Sequence, residues 1–272
     1  MKIIILSDHT QDKIKESENN RERVFQELLS KRRNKIEDKL NHRKELKLKI
    51  SQDFSNKKYI HGFYNILRIV VNYLTPNPKK PVKSLYSENE IIWKSGNIGE
   101  NNVIDTLNKQ LSNEWTAIKG YRNNKGEVDL LLICPYGIIS MEIKYINGHI
   151  SCNGDTWWKD KFDKYGNLVE SNIKIGDKNG RSPSQQVNEV TNALEQFLKT
   201  RSINRHIYRM VIFSHKSSLM NKIHNQTVDY IATIKNINIY KFLSKKNNML
   251  DENEIEKIVT LIKKDHEFHN NN

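Results

Sequence analysis

The chain has 272 residues, 36% of them hydrophobic and 28% charged, enough for one sizeable core but not for the burial of every segment. Its 45 Lys and Arg against 32 Asp and Glu leave a formal net charge of +13, which points to a polyanionic partner, either nucleic acid or an anionic membrane surface. The two cysteines, Cys134 and Cys152, exclude a disulfide framework and a thiolate zinc site, and with no secretory leader visible they make a cytoplasmic location the expectation.

Residues 10–58 are dominated by Lys, Arg, Glu, Asn and Asp. Phe25, Leu29, Ile36 and Leu40 fall on one helical stripe, interrupted by Arg32, which predicts a long, mostly exposed helix. Such a helix either packs one narrow stripe on the body or a partner, or lays a basic stretch such as Lys31-Arg32-Arg33 along nucleic acid. Residues 59–74 predict a second, more apolar helix, with Phe63, Ile66, Leu67, Val70 and Val71 near helical spacing. It is shorter than the roughly 20 apolar residues of a membrane span and contains His61, Asn65, Arg68 and Asn72, so no span is expected. Thr75-Pro76-Asn77-Pro78-Lys79-Lys80-Pro81 ends it, because proline removes a backbone donor and disfavours helix in the residue before it. This cluster sets the expected division: residues 1–81 as a basic helical arm and linker, residues 82–272 as an α/β domain. The arm's helices are also the surface expected to carry a homo-oligomer or a protein partner.

Beyond the linker the pattern becomes a compact α/β alternation. Residues 98–111 predict a helix, with Val103, Ile104, Leu107 and Leu111 on one side, and residues 115–121 a strand. A polar turn at residues 123–126 leads into an apolar hairpin. Residues 148–158 carry a further short strand, residues 160–175 an inserted hairpin around Tyr165-Gly166-Asn167, and residues 176–182 a polar loop. Residues 184–201 form an amphipathic helix entered at Pro183. Residues 208–213 read as a buried strand, 228–234 and 237–243 as weaker strands, 252–264 as a closing helix and 265–272 as a frayed tail.

The hairpin, from Glu127 to Lys144, holds the chemistry. Two apolar strands joined at Pro135-Tyr136-Gly137 fold back and bring Asp129 near Glu142. With a side-chain period of two, Glu142 and Lys144 leave one face of the second strand while Met141 and Ile143 leave the other. Leu130 to Ile133 is apolar on both faces, as in a central strand, and Glu142 and Lys144 interrupt an otherwise apolar run. An exposed ion pair would need no such setting and contributes only about 0–1 kcal/mol. Paired carboxylates beside a lysine suit phosphodiester hydrolysis: a hard dication takes oxygen ligands, keeps several waters and lowers their pKa. Asp129, Glu142 and the Ile143 carbonyl are the expected ligands, with Lys144 to orient the water or contact the phosphate. Trp157, Trp158 and His149 are expected to serve the core or the surface, and the loop at residues 176–180 lacks the Gly-Lys-Ser/Thr ending of a nucleotide-phosphate loop.

The order of motifs extends this reading. Gly96-Asn97-Ile98-Gly99-Glu100, Glu127-Val128-Asp129, Tyr136 to Tyr145, Gly148-His149-Ile150, Trp157-Trp158 and Ser182-Pro183-Ser184-Gln185-Gln186 together resemble the NERD family, the nuclease-related domain of the PD-(D/E)XK nuclease-like superfamily. The resemblance covers about residues 95–215. It implies a restriction-endonuclease-like α/β (α+β) core with a central mixed sheet flanked by helices, preceded by the helical arm. It implies a metal-dependent nuclease or endonuclease, acting on DNA with Mg²⁺ or Mn²⁺. Asp129 matches the metal-binding aspartate, Glu142 and Lys144 the Glu-x-Lys pair, Glu100 the acidic residue of the first helix that completes the metal site, and Gln186 the glutamine of the Asn-Pro-x-x-Gln segment, whose asparagine is here Ser182. A scaffold that binds nucleic acid or protein without catalysis is the alternative.

Overall fold

The computed structural model describes residues 1–243 and 249–270. In chain order its elements are β1 (Lys2–Ile5), α1 (His9–Ser55), α2 (Tyr59–Leu74), α3 (Glu88–Gln110), β2 (Thr116–Asn123), β3 (Gly126–Cys134), β4 (Gly137–Lys144) and β5 (Gly148–Asn153). There follow β6 (Thr156–Phe162), β7 (Leu168–Lys174), α4 (Pro183–Lys199), β8 (Ile207–Phe213), β9 (Ser218–His224), β10 (Tyr230–Thr233), α5 (Ile239–Leu243) and α6 (Glu252–Asn270). The chain divides into two units, Met1–Lys13 with Ile91–Asn272, and Ile14–Glu90. The first thirteen residues therefore group with the sheets, whereas the sequence put them in the arm.

The expected α/β core with a mixed central sheet is present. Its order is β1-β2-β3-β4-β8-β10, with β1 parallel to β2, β2, β3 and β4 antiparallel in turn, and β8 and β10 parallel to β4. A second sheet, β7-β6-β5-β9, carries the inserted hairpin. The central strands are apolar on both faces because both faces are covered. On one, Val103, Ile104 and Leu107 of α3 pack on Leu130, Leu132 and Met141; on the other, Val190 and Leu194 of α4 and Ile258 and Ile262 of α6 pack on Leu131, Ile133 and Ile138.

Four local expectations are corrected. β1 was not anticipated: four residues, Lys-Ile-Ile-Ile, are too few for a period, and only pairing with β2 makes them a strand. Residues 237–243 do not extend the sheet; α5 forms there, with Ile239 and Leu243 one helical turn apart and buried in the α3-side core. α6 runs on to Asn270, because Asp265 and His266 are buried and accept hydrogen bonds from the Tyr121 hydroxyl and the Arg122 N–H, so the tail does not fray at residue 265; residues 271–272 lie outside the described residues. β9 is mostly exposed and polar, which hid it from a reading based on apolar periodicity.

Gly120 is a point of close approach. Its φ is +72°, and a Cβ there would lie 2.1 Å from the Ser7 carbonyl oxygen. The Ser7 hydroxyl donates to the Gly120 carbonyl at 2.7 Å. The bend reverses side-chain alternation: Ala117 and Lys119 lie on the α3 side, but Tyr121, two residues on from Lys119, joins Ile118 in facing α4 and α6. Gly120→Ala combines an unfavourable φ with a backbone clash and is expected to destabilise the fold by about 2–4 kcal/mol. Urea unfolding midpoints of the two proteins measure this.

In the helical unit, α2 folds back on α1. The Asn65 side chain donates to Asp53 at 2.9 Å, Arg43 donates to the side chain and carbonyl of Asn72 at 2.6 and 2.9 Å, and Phe54 meets Phe63 edge-on with ring centroids 5.8 Å apart. Of the expected α1 stripe, Phe25, Leu29 and Ile36 are half-buried, but Leu40 is exposed. Among the described residues no helix is long and apolar enough to cross a membrane.

Candidate active site

The β3–β4 hairpin is built as its sequence demands. The ladder runs from Cys134↔Gly137 to Leu130↔Met141 and stops where Asp129 would meet Glu142. The reason lies in the neighbouring pair of strands. Lys119↔Leu130 and Tyr121↔Val128 flank Gly120 and Asp129, a facing pair that the β2–β3 ladder skips, so β3 is distorted at Asp129. The Ile143 N–H donates to Asp129 Oδ2 at 2.6 Å instead of to a strand carbonyl. Ser214 N–H donates to the Lys144 carbonyl at 2.9 Å, which fixes Lys144 as facing β8. By strand alternation, the N–H and C=O of Ile143 both face the β3 side. The Ile143 carbonyl thus opens toward the edge that carries the Asp129 carboxylate.

Glu142 and Lys144 leave β4 toward α4. Lys144 Nζ lies 2.5 Å from Glu142 Oε1, and it donates to Gln186 Oε1 at 3.0 Å. Gln186 stands in the first turn of α4, and its amide donates to the Arg181 carbonyl at 2.8 Å. The adjacent glutamine has the other role. Gln185 and Ser182 make a reciprocal capping box, the Ser182 hydroxyl accepting from Gln185 N–H at 3.2 Å and the Gln185 side chain accepting from Ser182 N–H at 2.9 Å. Ser182, in the place of the family's asparagine, is therefore a helix cap, and Gln186 is left for the site.

Glu100 lies elsewhere. It belongs to α3, and its carboxylate pairs with Lys119 Nζ at 3.1 Å. Lys119 is only 3% exposed and also reaches Asp8 Oδ2 at 3.0 Å and Asn97 Oδ1 at 3.3 Å. Asp129, Glu142, Lys144 and Gln186 thus form one connected group with the Ile143 backbone, while Glu100 acts on Asp129 only through its field. Lys119 carried a signal that sequence reasoning left unused: it interrupts an apolar strand just as Glu142 and Lys144 do. Asp8 carried none. Trp157 is fully buried and donates to Ser184, while His149 stacks on Phe162 at 4.3 Å, so neither joins this group. In the polar loop Asp177 and Arg181 pair at 2.8 Å, so the Arg181 charge is neutralised within the loop.

The electrostatics follow from burial. Asp129 is held well above the usual carboxylate range, first by burial and then by the charges of Glu142 and Glu100. Burial pulls Lys144 down, but Glu142 and Asp129 together outweigh it and leave the ammonium above its ordinary range. Burial also raises Glu100, against the opposing pull of Lys119. Lys144 pairs directly with Glu142 alone and reaches Asp129 only through its field, so two neighbouring carboxylates depend on one lysine and the group is short of positive charge.

A dication fits this donor set. Asp129, Glu142 and a backbone carbonyl are all oxygen donors of the kind that hard cations take, and their shortage of positive charge is what a dication would relieve. Among the described residues no three His, Cys, Asp or Glu side chains stand together as a metal-binding group. Mg²⁺ does not require one, since it commonly holds one or two carboxylates and several waters.

Residues 95–214 match the family model described as NERD, nuclease-related domain. The chain carries a nuclease-related domain. Its limits agree to within a residue with the span expected from the motifs, 95–215. No curated protein and no solved structure matches the chain. Every member of the connected group lies within the nuclease-related domain, as do Glu100 and Lys119, whereas Asp8 lies outside it. β1, β9, β10 and α6 also lie outside, so this chain surrounds the domain with structure of its own.

Proposed function

We propose that the nuclease-related domain is an active metal-dependent nuclease that hydrolyses phosphodiester bonds in DNA. The observation that carries this reading is the broken ladder at Asp129. Its half-buried carboxylate takes the Ile143 N–H and stands beside Glu142, with the Lys144 ammonium set against Glu142. A carboxylate that costs stability to keep charged is unexplained by packing, which supports a chemical role.

Asp129, Glu142 and the Ile143 carbonyl would hold Mg²⁺ or Mn²⁺, with Glu100 near enough to act through its field. Bound there, the ion would supply a water of lowered pKa and a countercharge for the phosphorane-like transition state. Lys144 would direct its ammonium to the attacking water or the scissile phosphate. Gln186, anchored by its amide to the Arg181 carbonyl, would fix the Lys144 ammonium by accepting a hydrogen bond from it. The net charge of +13 favours a polyanionic substrate.

Purified protein is expected to nick supercoiled DNA and degrade linear DNA with Mg²⁺ or Mn²⁺, and to lose this with a chelator. Salt-sensitive DNA binding that persists without metal, with no cleavage under either cation, would instead identify a binding scaffold.

A further inference from the structure

Helix α2 is built inside out. The side it turns to α1 is largely polar or small, with Ile66 and Ile69 half-buried there: Gly62 and Asn65 are its buried residues, and Asn65 and Asn72 make the hydrogen bonds to Asp53 and Arg43. Gly62 admits the Phe54 ring, which would lie 2.9 Å from a Cβ at that position. The opposite side is apolar and open, with Ile60, Phe63, Leu67, Val71 and Leu74 each between 59% and 84% exposed. At 100° per residue these five positions and Val70 lie within about a third of the helix circumference. An apolar stripe this continuous is a contact surface rather than the scattered exposure of an ordinary monomer.

The margins of the stripe say what it contacts. Tyr64 lies on one margin and Tyr73 on the other, and each carries a guanidinium: Arg68 over Tyr64 at 5.8 Å and Arg43 over Tyr73 at 3.9 Å. Residues 54–87 contain six cations, Lys57, Lys58, Arg68, Lys79, Lys80 and Lys83, and no carboxylate. Among the described residues, only Lys83 of these six has an ion-pair partner, Glu22. An apolar stripe bordered by amphipathic aromatics and cations fits a bilayer interface, where rings sit at headgroup depth and cations meet anionic lipids. Nucleic acid would use the cations and leave the aliphatic stripe in water. A second copy would cover the stripe but would set like charges against each other.

We propose that α2 is a membrane-surface helix that docks the arm onto an anionic bilayer, lying in the interface without crossing it. Its 16 residues span about 24 Å at about 1.5 Å per residue, less than the roughly 30 Å of hydrocarbon that a spanning helix must cross. The proposal is independent of catalysis in the nuclease-related domain.

The test is co-sedimentation of the full chain with vesicles of phosphatidylcholine, alone or with phosphatidylglycerol added. The wild-type chain is expected to sediment with the anionic vesicles and to be released by salt. The double variant Leu67→Asn, Val71→Asn is expected to bind roughly tenfold or more weakly, since it removes two side chains that would enter the bilayer. Lys57→Gln, Lys58→Gln, Lys79→Gln, Lys80→Gln is expected to lose the preference for anionic lipid. All six positions are exposed, so the circular dichroism and melting midpoint of both variants should match wild type. The proposal is overturned if wild type stays in the supernatant with anionic vesicles or if the Leu67, Val71 variant binds as well as wild type. It is equally overturned if sedimentation equilibrium shows a dimer that this variant dissociates, which assigns the stripe to a second copy.

Discussion

Lys144→Met is expected to lower metal-dependent DNA cleavage by roughly 10²–10⁴-fold, with the loss in kcat rather than in KM. The side chain is a single ammonium held by Glu142 at 2.5 Å and by Gln186 at 3.0 Å, at the edge where Asp129 and the Ile143 carbonyl converge. In the proposed nuclease a group positioned this tightly would act on the reacting atoms and contribute little to general DNA affinity, which the many surface cations would supply. The same substitution removes the direct cation of Glu142 and the field that opposes the Asp129 charge, so the metal-free variant should also melt lower than wild type at neutral pH. Mg²⁺ should restore the melting midpoint but not the cleavage. Lys144→Arg keeps the charge and separates the two effects, because a planar guanidinium cannot occupy the place of a compact ammonium between Glu142 and Gln186. It is expected to melt near wild type and still cleave poorly. If Lys144→Met cleaves at the wild-type rate in a preparation free of contaminating nuclease, the assignment of Lys144 is wrong.

The core of this site was legible because hydrophobic patterning made the exceptions visible. Glu142 and Lys144 break an apolar strand, and a two-residue side-chain period puts them on one face; the structure pairs them there. Asp129 was reached through the turn at Pro135-Tyr136, which sets the register that aims it at β4. What the spacing could not convey was that the ladder breaks at Asp129, since that depends on Gly120 in a different hairpin and on Ser7, two residues beyond β1. Nor could it convey that Glu100 belongs to Lys119. That pairing crosses from α3 to β2 and recruits Asp8 from a segment more than a hundred residues away. Spacing reached the residues of one hairpin; Gln186, brought in by tertiary packing, was reached only through the family resemblance, and Lys119 and Asp8 were not reached at all. The arm shows the same division. Periodicity located both helices but left open what the apolar residues of α2 meet, because a period reports which residues share a face and not which medium that face meets.

Asp129→Asn should abolish cleavage and at the same time raise the stability of the metal-free protein at neutral pH. Burial and the neighbouring charges of Glu142 and Glu100 hold the Asp129 carboxyl well above the ordinary carboxylate range. Between that ordinary range and the raised native value, the unfolded chain has released a proton that the native protein retains. Stability therefore falls as pH rises through this window, and above it the native state carries the full penalty of a buried charge. Asparagine is neutral, has nearly the same shape, and still offers an oxygen to the Ile143 N–H, so it removes the penalty and keeps the hydrogen bond. Relief of about 1 kcal/mol raises Tm by roughly 2–4 °C in a chain of this size. Acidifying the metal-free wild type through the same window should close the gap between the two proteins. Saturating Mg²⁺ should close it by the other route, stabilising wild type through binding while leaving the asparagine variant unmoved. A variant that melts below wild type without metal at neutral pH would mean that Asp129 is a structural acceptor whose charge the fold needs. A variant that melts higher and cannot cleave would show the carboxylate is kept for chemistry at the expense of stability.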